Sequence, residues 1–213
     1  MNTYASDKSY SYFILFYFRN KQEFYTCLSV DLPPEGEPTP QDCLQQFFAP
    51  QDVTVTCEKC QTGTEATQTL AIQEPRPKAV WLHLKRFVVQ QPDPNDPTNL
   101  VVSKNKQPVQ LSPTLSLEPF LAAAAAAAAS KDGDTDDMDT TSTPPSSSKS
   151  YNIQSIVHHI GSTANSGHYT ASGKRGTQWV SFDDSLTEET TFQTVSGSVA
   201  NQKTAYMLLY SSV

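Results

Sequence analysis

The chain has 213 residues, enough for one domain with a sizeable core, and carries a net charge of −7 with 17% charged residues. That acidic balance offers no basic face to a nucleic acid, so nucleic-acid binding is excluded from the expected activities. Four cysteines, two of them in Cys57-Glu58-Lys59-Cys60, fit reduced structural or metal-binding thiols better than a disulfide framework, and an intracellular location, cytoplasm or nucleus, is expected.

Residues 10–18, YSYFILFYF, form the most apolar run near the start. A membrane-spanning helix needs about 20 such residues, so no membrane partner is expected. The run opens on polar residues and exits into Arg19-Asn20-Lys21, which is not the pattern of a secretory leader. Its aromatic and β-branched content predicts a buried strand. A second strand is expected over Phe24–Val30, then a proline-rich turn, then a helix. Thr39 is its expected N-cap, Pro40 its first residue and Asp42 an acid in its first turn, while Cys43, Leu44, Phe47 and Phe48 supply the apolar stripe.

Cys57 and Cys60 offer two thiolates to one metal, but a structural zinc needs four ligands, usually two such pairs, and no second pair is present. The two residues are therefore a candidate half site from which weak or no zinc binding is expected, and no cofactor is expected to be required. Cys27 and Cys43, in a strand and a helix, read as core thiols. Strands are expected over 67–72 and 79–89, the second apolar enough to be central in a sheet. His83 within it reads as a core residue satisfied by a neighbour.

Residues 90–106 are polar and punctuated by Pro92, Pro94 and Pro97, which predicts a loop. Eight alanines at 122–129 and an Asp-, Ser- and Thr-rich stretch at 130–150 cannot bury a core, so 122–150 is expected to be a disordered insertion. It separates 1–121 from 151–213. A strand follows over 151–159, with His158 and His159 read as structural, and Gly, Ser and Asn make 161–167 a loop. Residues 204–210 form a last strand whose Tyr206, Leu208 and Tyr210 can pack inward.

Between these elements lies the chemistry. Ser166–Ala171 and Trp179–Ser185 read as two strands of a hairpin with a reversal in Gly173-Lys174-Arg175-Gly176. Side chains alternate faces, so His168, Thr170 and Ser172 share one face and Trp179, Ser181 and Asp183 one face of the partner. A turn centred between Lys174 and Arg175 sets His168 opposite Ser181 and diagonal to Asp183. A centre between Arg175 and Gly176 sets it directly opposite Asp183, and a centre on Arg175 would bring Phe182 there instead. Opposite Cβ atoms lie roughly 5 Å apart and diagonal ones roughly 7 to 8 Å, within reach of a carboxylate–imidazole bond. A His held by an Asp is two parts of a nucleophile–His–acid triad.

The block 157–210, with HHIGSTANSGHYTAS, WVSFDDS and Thr204-Ala205-Tyr206-Met207-Leu208-Leu209-Tyr210, closely resembles the histidine box of the ubiquitin-specific proteases. The LHLKRF stretch at 82–87 is similar to that family's palm strand, and the strand and helix of 24–48 are similar to its segment leading into the fingers. The resemblance implies an α+β, papain-like cysteine protease fold, here mainly the antiparallel β palm and part of the fingers. It implies a deubiquitinating thiol hydrolase that cleaves the peptide or isopeptide bond after the C-terminal Gly of ubiquitin, with ubiquitin and ubiquitinated proteins as partners. His168 would be the general base, Asp183 the orienting acid and Asp184 the rival acid. Gly167 and Tyr169 would wall the channel for the ubiquitin tail, which the 90–106 and 161–167 loops would flank.

The family's nucleophile sits in a Gly-Asn-x-Cys box at a helix start, where the helix dipole and the His lower the thiol pKa. None of the four cysteines has that context, so the nucleophile-bearing thumb is expected to be absent from these residues. Three readings stand: the C-terminal part of an active protease, a ubiquitin-binding pseudoenzyme or scaffold, and an unrelated zinc-ribbon interaction protein.

Overall fold

Extended strands, in which apolar and β-branched residues alternate, are the main regular structure among the described residues. The computed structural model describes residues 9–10, 17–18, 21–56, 61, 63–92, 96, 98–122 and 149–212. Cys57, Cys60 and residues 123–148 of the expected insertion lie outside them. In chain order the strands are β1 (Ser9–Tyr10), β2 (Tyr17–Phe18), β3 (Leu28–Val30), β4 (Gln51–Thr56), β5 (Gly63–Gln68), β6 (Ala79–Leu84), β7 (Phe87–Gln90), β8 (Val101–Lys104), β9 (Thr114–Ser116), β10 (Ser150–Ile160), β11 (His168–Arg175), β12 (Gln178–Asp183), β13 (Leu186–Thr190) and β14 (Ala205–Ser212). Three helices, α1 (Pro40–Phe48), α2 (Phe192–Gly197) and α3 (Val199–Thr204), and a short 3-10 turn at Glu118–Phe120 complete the described elements.

The described residues fall into two compact units, one of Cys27–Phe47, Ala79–Leu115 and Tyr151–Val213, the other of Met1–Thr26, Phe48–Lys78 and Ser116–Ser150. The first is built on a sheet in the order β13-β12-β11-β10-β14-β6-β3, with β9 also on β10. Every pairing along that path is antiparallel except β3 with β6. A lateral row of directly paired residues, Leu28, Leu82, Leu208, Ile156, Ser172 and Ser181, crosses the sheet on one face. Its four apolar members are essentially inaccessible to solvent and form the centre of the core. Each such side chain contributes about 1.5–3 kcal/mol by leaving water. The row turns polar at Ser172 and Ser181, whose hydroxyls lie 3.3 Å apart, and that polar end is where the site begins.

Helix α1 starts as the sequence predicts. Thr39 Oγ1 accepts from the Asp42 amide at 3.2 Å, and Asp42 Oδ2 accepts from the Thr39 amide and hydroxyl, both at 2.8 Å, a reciprocal cap that satisfies exposed donors of the first turn. Pro40, Cys43 and Leu44 are its buried residues, while Phe47 and Phe48 are half-buried.

Several boundaries differ from expectation. Tyr10 pairs with Tyr17 and Ser9 with Phe18 as two short antiparallel strands, so 10–18 is not one strand; residues 11–16 of that expectation lie outside the described residues. Only Leu28–Val30 of the expected Phe24–Val30 strand is extended pairing, and Phe24 is exposed. The strand expected over 67–72 lies earlier, as β5, in register with β4 from Gln51↔Gln68 to Thr56↔Gly63. Val101–Lys104 of the expected 90–106 loop is strand β8, paired with β7. Tyr206 does not join Leu208 and Tyr210 in the buried face; register shifts in β10–β14 turn it toward His83, Phe87, His159 and Tyr169.

The expected strand 79–89 breaks at Lys85-Arg86 for a clear reason. Arg86 is completely buried, and its guanidinium donates to four backbone carbonyls: Nε to Ala205 at 2.6 Å, Nη1 to Asn105 and Gln107 at 3.1 and 2.8 Å, and Nη2 to Gln202 at 2.6 Å. A cation inside the fold must be fully hydrogen-bonded, and turning inward to reach those carbonyls takes the chain out of the β6 ladder. The same bonds tie the end of β8, the last turn of α3 and the start of β14 to one point.

In the second unit β4 and β5 form an antiparallel hairpin. Phe48 stacks on Phe120 with ring centroids 4.6 Å apart, and buried Ile72 bridges to Leu121. Arg76 pairs with Glu74 at 2.8 Å and with Glu118. Among the described residues no helix is long and apolar enough to cross a membrane.

Candidate active site

The hairpin of β11 and β12 carries His168 and Asp183. Its register runs from Ala171↔Phe182 to Arg175↔Gln178, so the two-residue turn is Gly176-Thr177, with Gly176 at φ 62° where a side chain would be strained. The turn lies beyond each of the three centres that the sequence suggested. The parity nevertheless matches that of two of those registers: Ser172 pairs with Ser181, and the face that carries His168, Thr170 and Ser172 also carries Asp183. His168 Nε2 meets Asp183 Oδ1 at 2.5 Å. Both side chains are partly open to solvent, at 44% and 57% of their maximal exposure. The Asp183 carboxylate, first as a hydrogen-bond acceptor and then as a neighbouring charge, holds the His168 pKa above the ordinary histidine value.

Asp184 begins the two-residue turn to β13, set by Asp183↔Leu186, and takes φ 52°, a left-handed conformation that Asp tolerates better than most residues. Its carboxylate stays within 4.8 Å of the other two groups, yet among the described residues Asp183 alone hydrogen-bonds the imidazole. The His168–Asp183 bond engages two of the three ligand atoms gathered here.

His168 follows the exposed loop 161–167. The loop is closed on itself: Thr163 Oγ1 donates to Ser166 O at 3.1 Å, and a Cβ on Gly161 would lie 3.1 Å from Gly167 Cα. Gly167 has no room for a side chain, since a Cβ there would stand 2.2 Å from His159 Nε2 and 2.7 Å from Ile160 O. Tyr169 points to the face opposite His168, 53% exposed, with its ring 4.8 Å from His159 and 6.2 Å from Tyr206.

The other sequence candidates separate clearly. His83 Nδ1 is 3.0 Å from Ser29 Oγ and its ring packs edge-on to Tyr206 at 4.7 Å. His158 is buried, 3.4 Å from the Thr204 hydroxyl, and burial pushes its pKa down to about 4. His159, also buried, sits at the centre of an aromatic group with Phe87, Tyr169 and Tyr206. Cys43 is fully buried and its thiol is pushed up to about 12 by burial; Cys27 is raised by the same cause. The site-supporting residues that sequence reading passed over are Lys104 and Arg86, whose partners lie far away along the chain, and Tyr206 was read as packing into the core instead. The His158-His159 doublet before a glycine was the one local signal.

A family model described as ubiquitin carboxyl-terminal hydrolase matches residues 20–210. Ubiquitin carboxyl-terminal hydrolase 10-B of Xenopus laevis is 28% identical over 205 residues, covering 90% of this chain and 21% of the relative. Ubiquitin carboxyl-terminal hydrolase 4 of Arabidopsis thaliana is 26% identical over 211 residues, 91% of this chain and 47% of the relative. The chain therefore spans between about a fifth and a half of the length of these relatives. The SAGA Ubp8/Sgf11/Sus1/Sgf73 DUB module bound to ubiquitin aldehyde superposes with a TM-score of 0.71 at 21% identity, over 99% of this chain and 41% of that one. The same module bound to monoubiquitin gives 0.70 at 20% identity, over 99% and 40%. The α+β fold is thus the ubiquitin-specific protease fold, and with a family model matched over most of its length the chain belongs to the ubiquitin carboxyl-terminal hydrolase family.

Proposed function

We propose that these residues supply the acid–base half of a cysteine-type deubiquitinase that hydrolyses the peptide or isopeptide bond after the C-terminal Gly of ubiquitin. The observation that carries this is the 2.5 Å bond between His168 Nε2 and Asp183 Oδ1, which directs the other ring nitrogen, Nδ1, away from the acid. In the attack step His168 Nδ1 takes the proton from a cysteine thiol, and the thiolate adds to the Gly carbonyl carbon. The imidazolium then returns the proton to the leaving lysine amine, leaving an acyl-enzyme thioester. Water, deprotonated by the same nitrogen, releases the ubiquitin carboxylate and restores the thiol. Asp183 holds the tautomer throughout, Gly167 and Tyr169 border the path of the narrow Gly-Gly tail, and no metal or other cofactor enters the chemistry.

The nucleophile in this reading is none of the four cysteines present. Cys43 and Cys27 are disfavoured as thiolates by burial, and Cys57-Glu58-Lys59-Cys60 has the sequence of a finger turn. A second reading, favoured by that same burial of thiols, is a ubiquitin-binding module without turnover. Ubiquitin with a thiol-reactive C-terminal warhead separates the two. The 213-residue chain is expected to bind ubiquitin without covalent labelling, and a chain extended by a Gly-Asn-x-Cys box is expected to be labelled in a manner that His168→Ala abolishes. Labelling of the 213-residue chain that disappears with Cys27→Ser or Cys57→Ser would overturn the assignment of the thiol. An extended chain that folds, binds ubiquitin and is never labelled favours the binding module.

A further inference from the structure

Lys104, at the end of β8, spends its ammonium group on the base of the 161–167 loop. Its Nζ lies 3.0 Å from His159 Nδ1, 2.5 Å from His159 O and 3.0 Å from Gly161 O. An ammonium has three N–H donors and no acceptor, so these three bonds use it completely and require the Nδ1 of His159 to be the unprotonated acceptor. The stem of the same lysine brings Nζ to 5.8 Å from the Phe87 ring centroid. With Nδ1 fixed in this way, the far edge of the His159 ring rests against Gly167, where even a methyl group would clash with Nε2. The first and last residues of the loop are thereby held against one point, and the next residue in the chain is His168.

We infer that Lys104, acting through His159 and Gly167, is a positioning residue for His168: the lysine closes the loop and so sets where the His168 backbone enters β11. The contact reaches the backbone and not the His168 side chain, because Ile160 is the residue paired with His168 while His159 pairs with Tyr169 on the other face. The role in turnover rests on the deubiquitinase reading above; the geometric effect does not. The energetic logic is that the His168–Asp183 pair is itself exposed and so cannot define its own position. A half-buried lysine with three directed bonds, one of them to the ring of buried His159, supplies the rigidity that the pair lacks.

The test uses Lys104→Met, which keeps an unbranched stem and deletes the ammonium, and His159→Phe, which keeps a ring against Gly167 and deletes the acceptor. In the 213-residue chain, nitrogen-15 NMR of the His168 ring reads the Asp183 bond directly, with no need for catalysis. Both variants are expected to shift the His168 ring nitrogen signals toward those of Asp183→Asn while the urea unfolding transition remains cooperative. In a chain extended by the cysteine box, Lys104→Met is expected to lower kcat about tenfold or more, since a displacement near 1 Å at a reacting group costs up to about a hundredfold, with KM changed far less. Lys104→Arg is expected to restore only part of it, because a planar fork does not fit three convergent acceptors. Unchanged His168 signals in both folded variants would overturn the inference, whatever the activity. A rise in KM at constant kcat would overturn it as well, showing that the lysine serves only the loop's contact with ubiquitin. Should Lys104→Met fail to fold, His159→Phe alone decides on the same NMR signals. Absence of any deubiquitinase activity in the extended wild-type chain bears on the proposed function alone.

Discussion

Asp183 and His168 are not directly opposite each other: the β11–β12 register places Asp183 across from Thr170, so the 2.5 Å bond to His168 is a diagonal one that closes beyond the last paired residues of the ladder. The Asp183 carboxylate lies one residue before a turn and the imidazole one residue after a loop. His168 is paired on its far side with Ile160 and Asp183 with Leu186, so neighbouring strands and not the exposed bond place the two backbones.

That diagonal makes the two neighbouring acids unequal. In a chain carrying the cysteine box, His168→Ala is expected to abolish turnover, and Asp183→Asn to lower kcat by about 10² to 10⁴ through loss of the tautomer. Asp184→Asn, at a turn residue with φ 52° that Asn also tolerates, is expected to cost less. Steady-state kinetics on ubiquitin fused to a fluorogenic amine measure all three. A larger loss from Asp184→Asn with the fold intact would pass the orienting role to Asp184.

The His168 titration carries its own signature. The folded-state pKa stands above the unfolded one because Asp183 favours the imidazolium. Any stability it adds is complete below the unfolded pKa and is lost as pH rises through the folded one; for a pair this exposed the amount is small. NMR titration of the wild-type chain is expected to give a midpoint above the ordinary histidine value, and Asp183→Asn a midpoint close to it. Equal midpoints in the two proteins would refute the pairing.

His158 works in the opposite direction. Burial lowers its folded pKa from the ordinary 6.5 to about 4, so the unfolded chain binds the proton first. Stability is full above pH 6.5, falls as pH drops toward 4 and is flat in this group's contribution below that, a loss of about 3 kcal/mol for a shift of this size. Urea unfolding between pH 7 and pH 4 measures it. His158→Leu is expected to remove most of that slope, and a slope unchanged by the substitution would assign the acid sensitivity to other groups.

Arg86 offers the largest single stability effect. Arg86→Met removes the buried donor to four backbone carbonyls and is expected to destabilise the fold by about 3–5 kcal/mol, read as the denaturant midpoint. Arg86→Lys is expected to recover little, because one ammonium cannot span carbonyls on three separate segments. Full stability in Arg86→Lys would show that charge and not the fork is what the site needs.

What the sequence determined by itself were the periodic and local features. Helix α1 with its Thr39–Asp42 cap and strand β10 follow from alternation and from hydrogen bonds between residues three apart, and alternation sets His168 and Asp183 on one face in two of the three registers left open. Parity survived an error in the turn position because moving a hairpin centre by whole residues preserves which side chains share a face. Tertiary structure alone decided the break of the 79–89 strand at Arg86, the pairing of Tyr10 with Tyr17, the swing of Tyr206 out of the buried row and the Lys104–His159 contact across 55 positions. Nothing in the local sequence near Lys104 or Arg86 marks a partner, because a long cationic side chain chooses its acceptors by which carbonyls the folded sheet leaves unpaired beside it, and that choice exists only once the strands are assembled.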